Sequence, residues 1–264
     1  GLGGRLDSTN VITPLVSVIT NIGLDHTQFL GDTLPLVAAE KAGIIKEGIP
    51  AVIGETQGEV LEIFENKAKL EGAKITFADQ QSESIALSRL VDYQRKNAQT
   101  AVVAIKELRA FGFEISNNHL VTGIENMVRN TGLRGRWEIL GNKPLIIADT
   151  AHNKEGLHYT MKQLLELPSD TIRMVFGMVD DKSTDAIMGL LPRNAVYYLC
   201  EPSIPRAKPI KELDELFIKE ELNKKSFHSV SEALNAAIAD SQEDDVLYVG
   251  GSTFVVADAL KNIN

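Results

Sequence analysis

One cysteine, Cys200, stands among 264 residues, so no disulfide can close within the chain. That suits a reducing compartment. There is no surplus of positive charge: 27 Lys and Arg against 36 Asp and Glu leave a net charge of −9. A nucleic-acid partner, which needs a basic face, is therefore not expected. An anionic small ligand is not excluded, because a few local donors are enough to hold one. No apolar run reaches the roughly 18 residues that span a bilayer, and no signal-peptide pattern is visible. The expectation is a soluble cytoplasmic protein with no membrane association. Internal repeats and low-complexity tracts are missing. So are the G-x-x-x-x-G-K-[ST] phosphate loop, the G-x-S-x-G nucleophile elbow and the Cys-x-x-Cys metal pair. The opening "GLGGRLDSTN" lacks an initiator Met and reads as a loop. It neither matches G-x-G-x-x-G nor follows a strand, so no dinucleotide site is expected there.

What is present is ordinary globular composition, 44% hydrophobic and 24% charged, enough for one large domain or two of common size. "LVSVIT" (15–20) is apolar and β-branched, as a strand buried on both faces should be. A helix is expected over 35–46, with Pro35 at an early position. Strands follow at 49–54 and 74–78, around an amphipathic helix from Gln57 to Glu71. Two further helices are expected at 95–111 and 116–130. Periodicity breaks at "TGLRGRWEIL" (131–140), and from there strands alternate with helices. The strands are 144–149, 171–177, 195–200 and 245–250; the helices are 154–166, 183–191, 209–222, 231–240 and 252–262. Such alternation demands a mostly parallel sheet covered on both faces. The fold class is therefore α/β, with a Rossmann-like second half and a boundary near 130–136.

Ligands of open α/β sheets sit beyond the carboxyl ends of strands, and several polar clusters follow a strand directly. Asn21 to His26 comes first, and Asp25 could orient the His26 imidazole in a metal site; a structural histidine is the plain alternative. "DTAHN" (149–153) reads either as a capping turn or as a nucleotide site. In the second case Asp149 accepts from a ribose hydroxyl and His152 lies near phosphates. "RGRWE" (134–138) can be a solvated linker or a guanidinium fork for phosphate. "GGSTF" (250–254) offers backbone N–H groups at a helix start, which suit an anion, or simply a tight turn. "GMVDDKS" (177–183) is open in the same way.

Taken in order, "GLGGRLDSTN", "ITNIGLDHTQFLGDTLPLVAAEKAGIIK", "GLRGRWE", "ADTAHN" and "VLYVGGSTFVVADAL" resemble the folylpolyglutamate synthase/dihydrofolate synthase family of the Mur ligase superfamily. The resemblance covers essentially the whole chain. It implies the remainder of a P-loop-type ATPase domain over 1–132, a Rossmann-like ligase domain over 133–264, and an active site in the cleft between them. It implies a monomer that uses ATP and Mg²⁺ to phosphorylate a folate or dihydropteroate carboxylate, which the amine of L-glutamate then attacks.

By the same resemblance His26 is a magnesium ligand, and Lys41 is a lysine that becomes carbamylated and serves both metal and catalysis. Lys46 packs or neutralises nearby charge. Asn97, Arg136 and Asp149 hold ATP, with His152 alongside as a catalytic group. Arg5 and Asp7 lie in the loop near the folate, and Ser252 contacts substrate. The family's P-loop and a metal-ligand Glu would precede residue 1, so the resemblance implies a C-terminal fragment that is inactive alone. Two rival readings stay open: another Mur-type ligase acting on a UDP-sugar peptide, and a non-catalytic nucleotide-binding module.

Overall fold

The computed structural model describes residues 3–24, 27–82, 92–180 and 184–262. Expectations that rest on Asp25 and His26 lie outside the described residues. The chain divides into two compact units, Gly1–Asn130 and Thr131–Asn264.

The first unit carries a parallel three-stranded sheet in the order β1 (Ser17–Ile19), β2 (Ala51–Ile53), β3 (Ile75–Phe77). Its helices are α1 (Thr27–Leu30), α2 (Leu34–Ala42), α3 (Leu61–Leu70), α4 (Asp92–Arg109) and α5 (Asn117–Glu125). Pro35 sits in the first turn of α2, where its missing N–H is not needed. One sheet face packs Ile19, Ala51 and Ile53 against Val37, Ala38 and Phe64 of α2 and α3. The other sets Val52 against Val103 and Ala104 of α4. The side-chain period of two thus explains why both faces of β2 are apolar. The single helix expected over 116–130 is broken at Asn126. A short α6 (Met127–Thr131) follows α5.

The second unit is a six-stranded sheet. Its strands are β4 (Glu138–Asn142), β5 (Leu145–Ala148), β6 (Ile172–Phe176), β7 (Val196–Leu199), β8 (Lys224–Ser226) and β9 (Val246–Gly250). Their spatial order is β4-β5-β9-β6-β7-β8, with only β4 antiparallel to its neighbour. Alternate residues divide between two cores. Ile147, Met174, Tyr197 and Tyr248 meet α7 (Lys154–Leu165), α8 (Thr184–Met188) and α9 (Ile210–Lys219). Ile146, Val175, Tyr198 and Leu247 meet α10 (Val230–Asp240) and α11 (Thr253–Leu260). Each fully buried aliphatic or aromatic side chain here contributes about 1.5–3 kcal/mol over leaving it in water.

This topology fixes where a ligand can enter. Strands β5 and β9 are neighbours, yet the helix after β5 covers one face and the helix after β9 covers the other. Their carboxyl ends therefore part around a crevice, the switch point of an open α/β sheet.

Candidate active site

At that switch point the chain after β5 runs Asp149, Thr150, Ala151, His152, Asn153. Asn153 caps α7 by accepting the Gly156 N–H at 2.9 Å. Asp149 is 1% exposed. Its carboxylate accepts the N–H of Trp137 at 2.7 Å and the N–H of Ala151 at 2.8 Å. The first of these bonds fastens the "RGRWE" loop to the end of β5, and the Thr150 N–H reinforces it by donating to Gly135 O at 2.9 Å. Arg136, between the fastened residues, is exposed on this loop. Thus the loop of one predicted nucleotide residue is bonded directly to the other. A buried carboxylate with two backbone donors also shapes a loop, a role that the ribose contact expected of Asp149 did not include.

His152 is half-buried, with Nδ1 3.0 Å from the Thr150 carbonyl oxygen. A carbonyl only accepts, so Nδ1 carries the proton and Nε2 is left as the acceptor of the neutral ring.

On the other side of the crevice Gly250, Gly251 and Ser252 follow β9. Gly251 has φ +86°, and a Cβ there would meet the Phe176 ring at 2.6 Å. Ser252, expected to contact substrate, caps a helix here. The residue is 2% exposed, and its Oγ accepts the Phe254 N–H at 3.2 Å as the cap of α11. Cys200 is fully buried; burial, then the Asp258 charge, push its thiol pKa up, so it stays a protonated, unreactive group.

The first unit gathers a second set. Lys41, Asp7, Thr9, Thr20 and Asn21 line a cavity of about 270 Å³ at the carboxyl end of β1. Gln57 steadies this edge, because its amide both accepts the Ile22 N–H at 2.7 Å and donates to the Ile22 carbonyl at 2.8 Å. Carboxylate, hydroxyl and amide oxygens are the donors a hard cation prefers. A carbamate on Lys41 would add another, so the residues present fit Mg²⁺. Among the described residues no group of three or more His, Cys, Asp or Glu side chains is assembled for a metal.

Arg5, expected near the substrate, is paired with a carboxylate of its own unit. Its guanidinium donates to the Glu40 carboxylate at 2.9 to 3.2 Å, and that bond and charge raise its pKa further. Asp7 caps the short 3₁₀ turn Ser8–Val11 by accepting the Thr9 N–H at 2.8 Å. Lys46 donates to the Asn10 carbonyl at 2.9 Å. Asn97, expected at a helix start, sits instead in the second turn of α4, exposed. Its neighbours Arg95 and Lys96 line a cavity of about 280 Å³ beyond the ends of β2 and β3.

Sequence reasoning missed Glu138 and Gln57. Gln57 bonds the backbone of Ile22, 35 residues away, and Glu138 accepts the Gly135 N–H within a turn that no residue pattern announces.

The Mur ligase, glutamate ligase domain matches residues 135–253. The chain is 33% identical to the dihydrofolate synthase/folylpolyglutamate synthase of Escherichia coli (strain K12), over all of this chain and 64% of that protein. The chain is thus similar to the folylpolyglutamate synthases, and its second half carries a Mur ligase, glutamate ligase domain. A solved structure of E. coli FolC in complex with DHPP and ADP superposes on this folylpolyglutamate synthase relative with a TM-score of 0.86. The two are 31% identical, covering 100% of this chain and 64% of the other. A bifunctional folylpolyglutamate synthase/dihydrofolate synthase with Mn, AMPPNP and L-glutamate bound gives a TM-score of 0.82 at 27% identity, covering 99% of this chain and 64% of that one. The chain thus spans somewhat less than two thirds of the length of these relatives. Among its described residues no helix is long and apolar enough to cross a membrane.

Proposed function

We propose that this chain forms residues 1–132 of an ATPase domain and 133–264 of a ligase domain in an ATP-dependent enzyme that adds L-glutamate to a folate or to dihydropteroate. The proposed enzyme is a cytoplasmic monomer. A substrate carboxylate oxygen attacks the terminal phosphorus of ATP and ADP departs, leaving an acyl phosphate. The glutamate amine then attacks the acyl carbon, and phosphate leaves as the amide forms. Phosphorylation is needed because a carboxylate repels nucleophiles and has no good leaving group. Arg136 and Asn97 serve the nucleotide, and Asp149 serves it by fixing the loop that carries Arg136. Lys41 and His26 serve Mg²⁺, which when bound neutralises phosphate charge as a Lewis acid. His152, its Nδ1 engaged by the Thr150 carbonyl, presents Nε2 as the acceptor for the amine proton.

The observation that carries this reading is the hydrogen bond from Trp137 N–H to Asp149, which joins the Arg136 loop to the switch point of the sheet. The test is ADP release by the complete protein that contains this chain, with ATP, Mg²⁺, L-glutamate and either tetrahydrofolate or dihydropteroate. Release that requires both glutamate and the pterin substrate supports the reading. Release with a UDP-muramoyl peptide in place of the pterin reassigns the substrate. Turnover with neither would leave a nucleotide-binding module.

A further inference from the structure

Residue 136 is bracketed by two residues in the left-handed region, Gly135 with φ +71° and Trp137 with φ +52°. Such a pair does not hold itself, since a tryptophan at positive φ is unfavourable and a glycine is free to leave it. Each is pinned by a different carboxylate. Asp149 accepts the Trp137 N–H at 2.7 Å, and Glu138 Oε2 accepts the Gly135 N–H at 2.7 Å. The other Glu138 oxygen accepts from the Arg134 guanidinium. Gly135 is also pressed onto Thr150 and Val256, where a Cβ would lie 2.9 and 2.7 Å from side-chain atoms. The Trp137 ring packs on the core between the sheet and α7.

We propose that Glu138 is a positioning residue for nucleotide binding: it locks the turn at Gly135 and thereby sets the direction in which Arg136 leaves the backbone. This rests on the proposed role of Arg136. One carboxylate alone would fix only one side of residue 136, and the peptide on the other side could rotate. With both in place the backbone entering and leaving Arg136 is determined, so its side chain starts from a fixed Cα–Cβ direction. Arg134 has a supporting part, since it occupies one Glu138 oxygen and holds the carboxylate over the turn.

The experiment is ADP titration by calorimetry on the complete protein that contains this chain, together with acrylamide quenching of Trp137, the only tryptophan of these 264 residues, in the 264-residue chain. Glu138→Ala should weaken ADP binding about tenfold, and Arg136→Met by a similar factor. The double variant should be no weaker than Arg136→Met alone, because the two act as one unit. Glu138→Gln, which keeps an acceptor for Gly135, should recover most of the affinity. Glu138→Ala should also expose Trp137 to quencher, while Arg136→Met should not. Unchanged ADP affinity in Glu138→Ala, or full additivity in the double variant, would overturn the proposal while leaving the functional reading intact. A wild type that fails to bind ADP, with Trp137 still loosened by Glu138→Ala, would instead overturn the nucleotide reading and reduce Glu138 to a fold-stabilising clamp.

Discussion

Replacing Gly135 by alanine should cost the second unit far more than a methyl group usually does. Two separate penalties combine. The first is conformational, because φ at Gly135 is +71° and an L-residue in the left-handed helical region is disfavoured by about 1–2 kcal/mol. The second is steric, because the new Cβ would lie 2.7 Å from Val256 Cγ1 and 2.9 Å from Thr150 Cγ2. Both partners are buried, and forcing such a core contact apart costs about 1–3 kcal/mol. Together they predict a loss of about 2–5 kcal/mol. Gly132 supplies the control within the same segment, with φ +67° and nothing within 4 Å of the point a methyl would occupy. Alanine there meets only the conformational penalty, and the offset of about 0.4–1 kcal/mol from lost freedom in the unfolded chain is common to both positions. Urea unfolding followed by Trp137 emission reads the second unit separately, which matters because a chain of two units need not unfold in one step. Equal losses at the two glycines would refute the claim that the loop is pressed onto the end of β5.

Asp149→Ala should destabilise the second unit by about 2–5 kcal/mol, because two buried N–H groups lose their acceptor; urea midpoints at constant slope would show it, and a loss under about 1 kcal/mol would count against the clamp. Asp245 is buried, which by itself raises its pKa, but the Gln242 N–H and the Arg173 guanidinium bring it below the ordinary carboxylate value. Its stabilisation is therefore complete above the unfolded pKa of about 3.9 and fades as pH falls through the lower folded value. Wild type should accordingly lose its advantage over Asp245→Asn in that acid window, and an advantage that persists at the lowest pH would contradict the assignment. Gln57→Leu removes both bonds to Ile22 and should cost about 1–3 kcal/mol in the first unit, measured by circular dichroism on urea titration. Lys41→Arg keeps the charge but cannot become a carbamate, and should cut glutamate-dependent ADP release by about 10² or more; activity near wild type would remove Lys41 from the metal site.

The strands that residues announced are those buried on both faces. "PLIIAD", "TIRMVFG", "AVYYLC" and "DVLYVG" became β5, β6, β7 and β9 because apolar, β-branched runs are what a covered parallel sheet requires. The two strands that escaped notice are edges. β8 is Lys224–Ser226, mostly exposed and defended by lysine as edges often are. β4 contains Gly141 and Asn142, weak strand formers whose pairing with β5 comes from the hairpin rather than from propensity. The candidate site divides in the same way. Asp149 and His152 were visible as polar residues just beyond an apolar strand, and Arg136 as an arginine where helical periodicity breaks at glycines. The hidden parts were hydrogen bonds to backbone: Asp149 to Trp137, which exists only once two segments meet, and Glu138 to Gly135, which exists only once the turn adopts its left-handed glycine. Ser252 and Asp7 had the chemistry of ligand contacts, yet their oxygens are engaged at turn and helix starts.

Strand β9 is inserted between β5 and β6, although some seventy residues of chain separate it from β6. The middle slat of the sheet is thus the last to be made. Until Val246–Gly250 leaves the ribosome, β5 and β6 have no shared neighbour and their inward edges stay open, a slow, long-range closure of the sort that delays folding and invites association. The half of the molecule that bears the Arg136 loop should therefore acquire its final form only after translation of that strand, in a single late step.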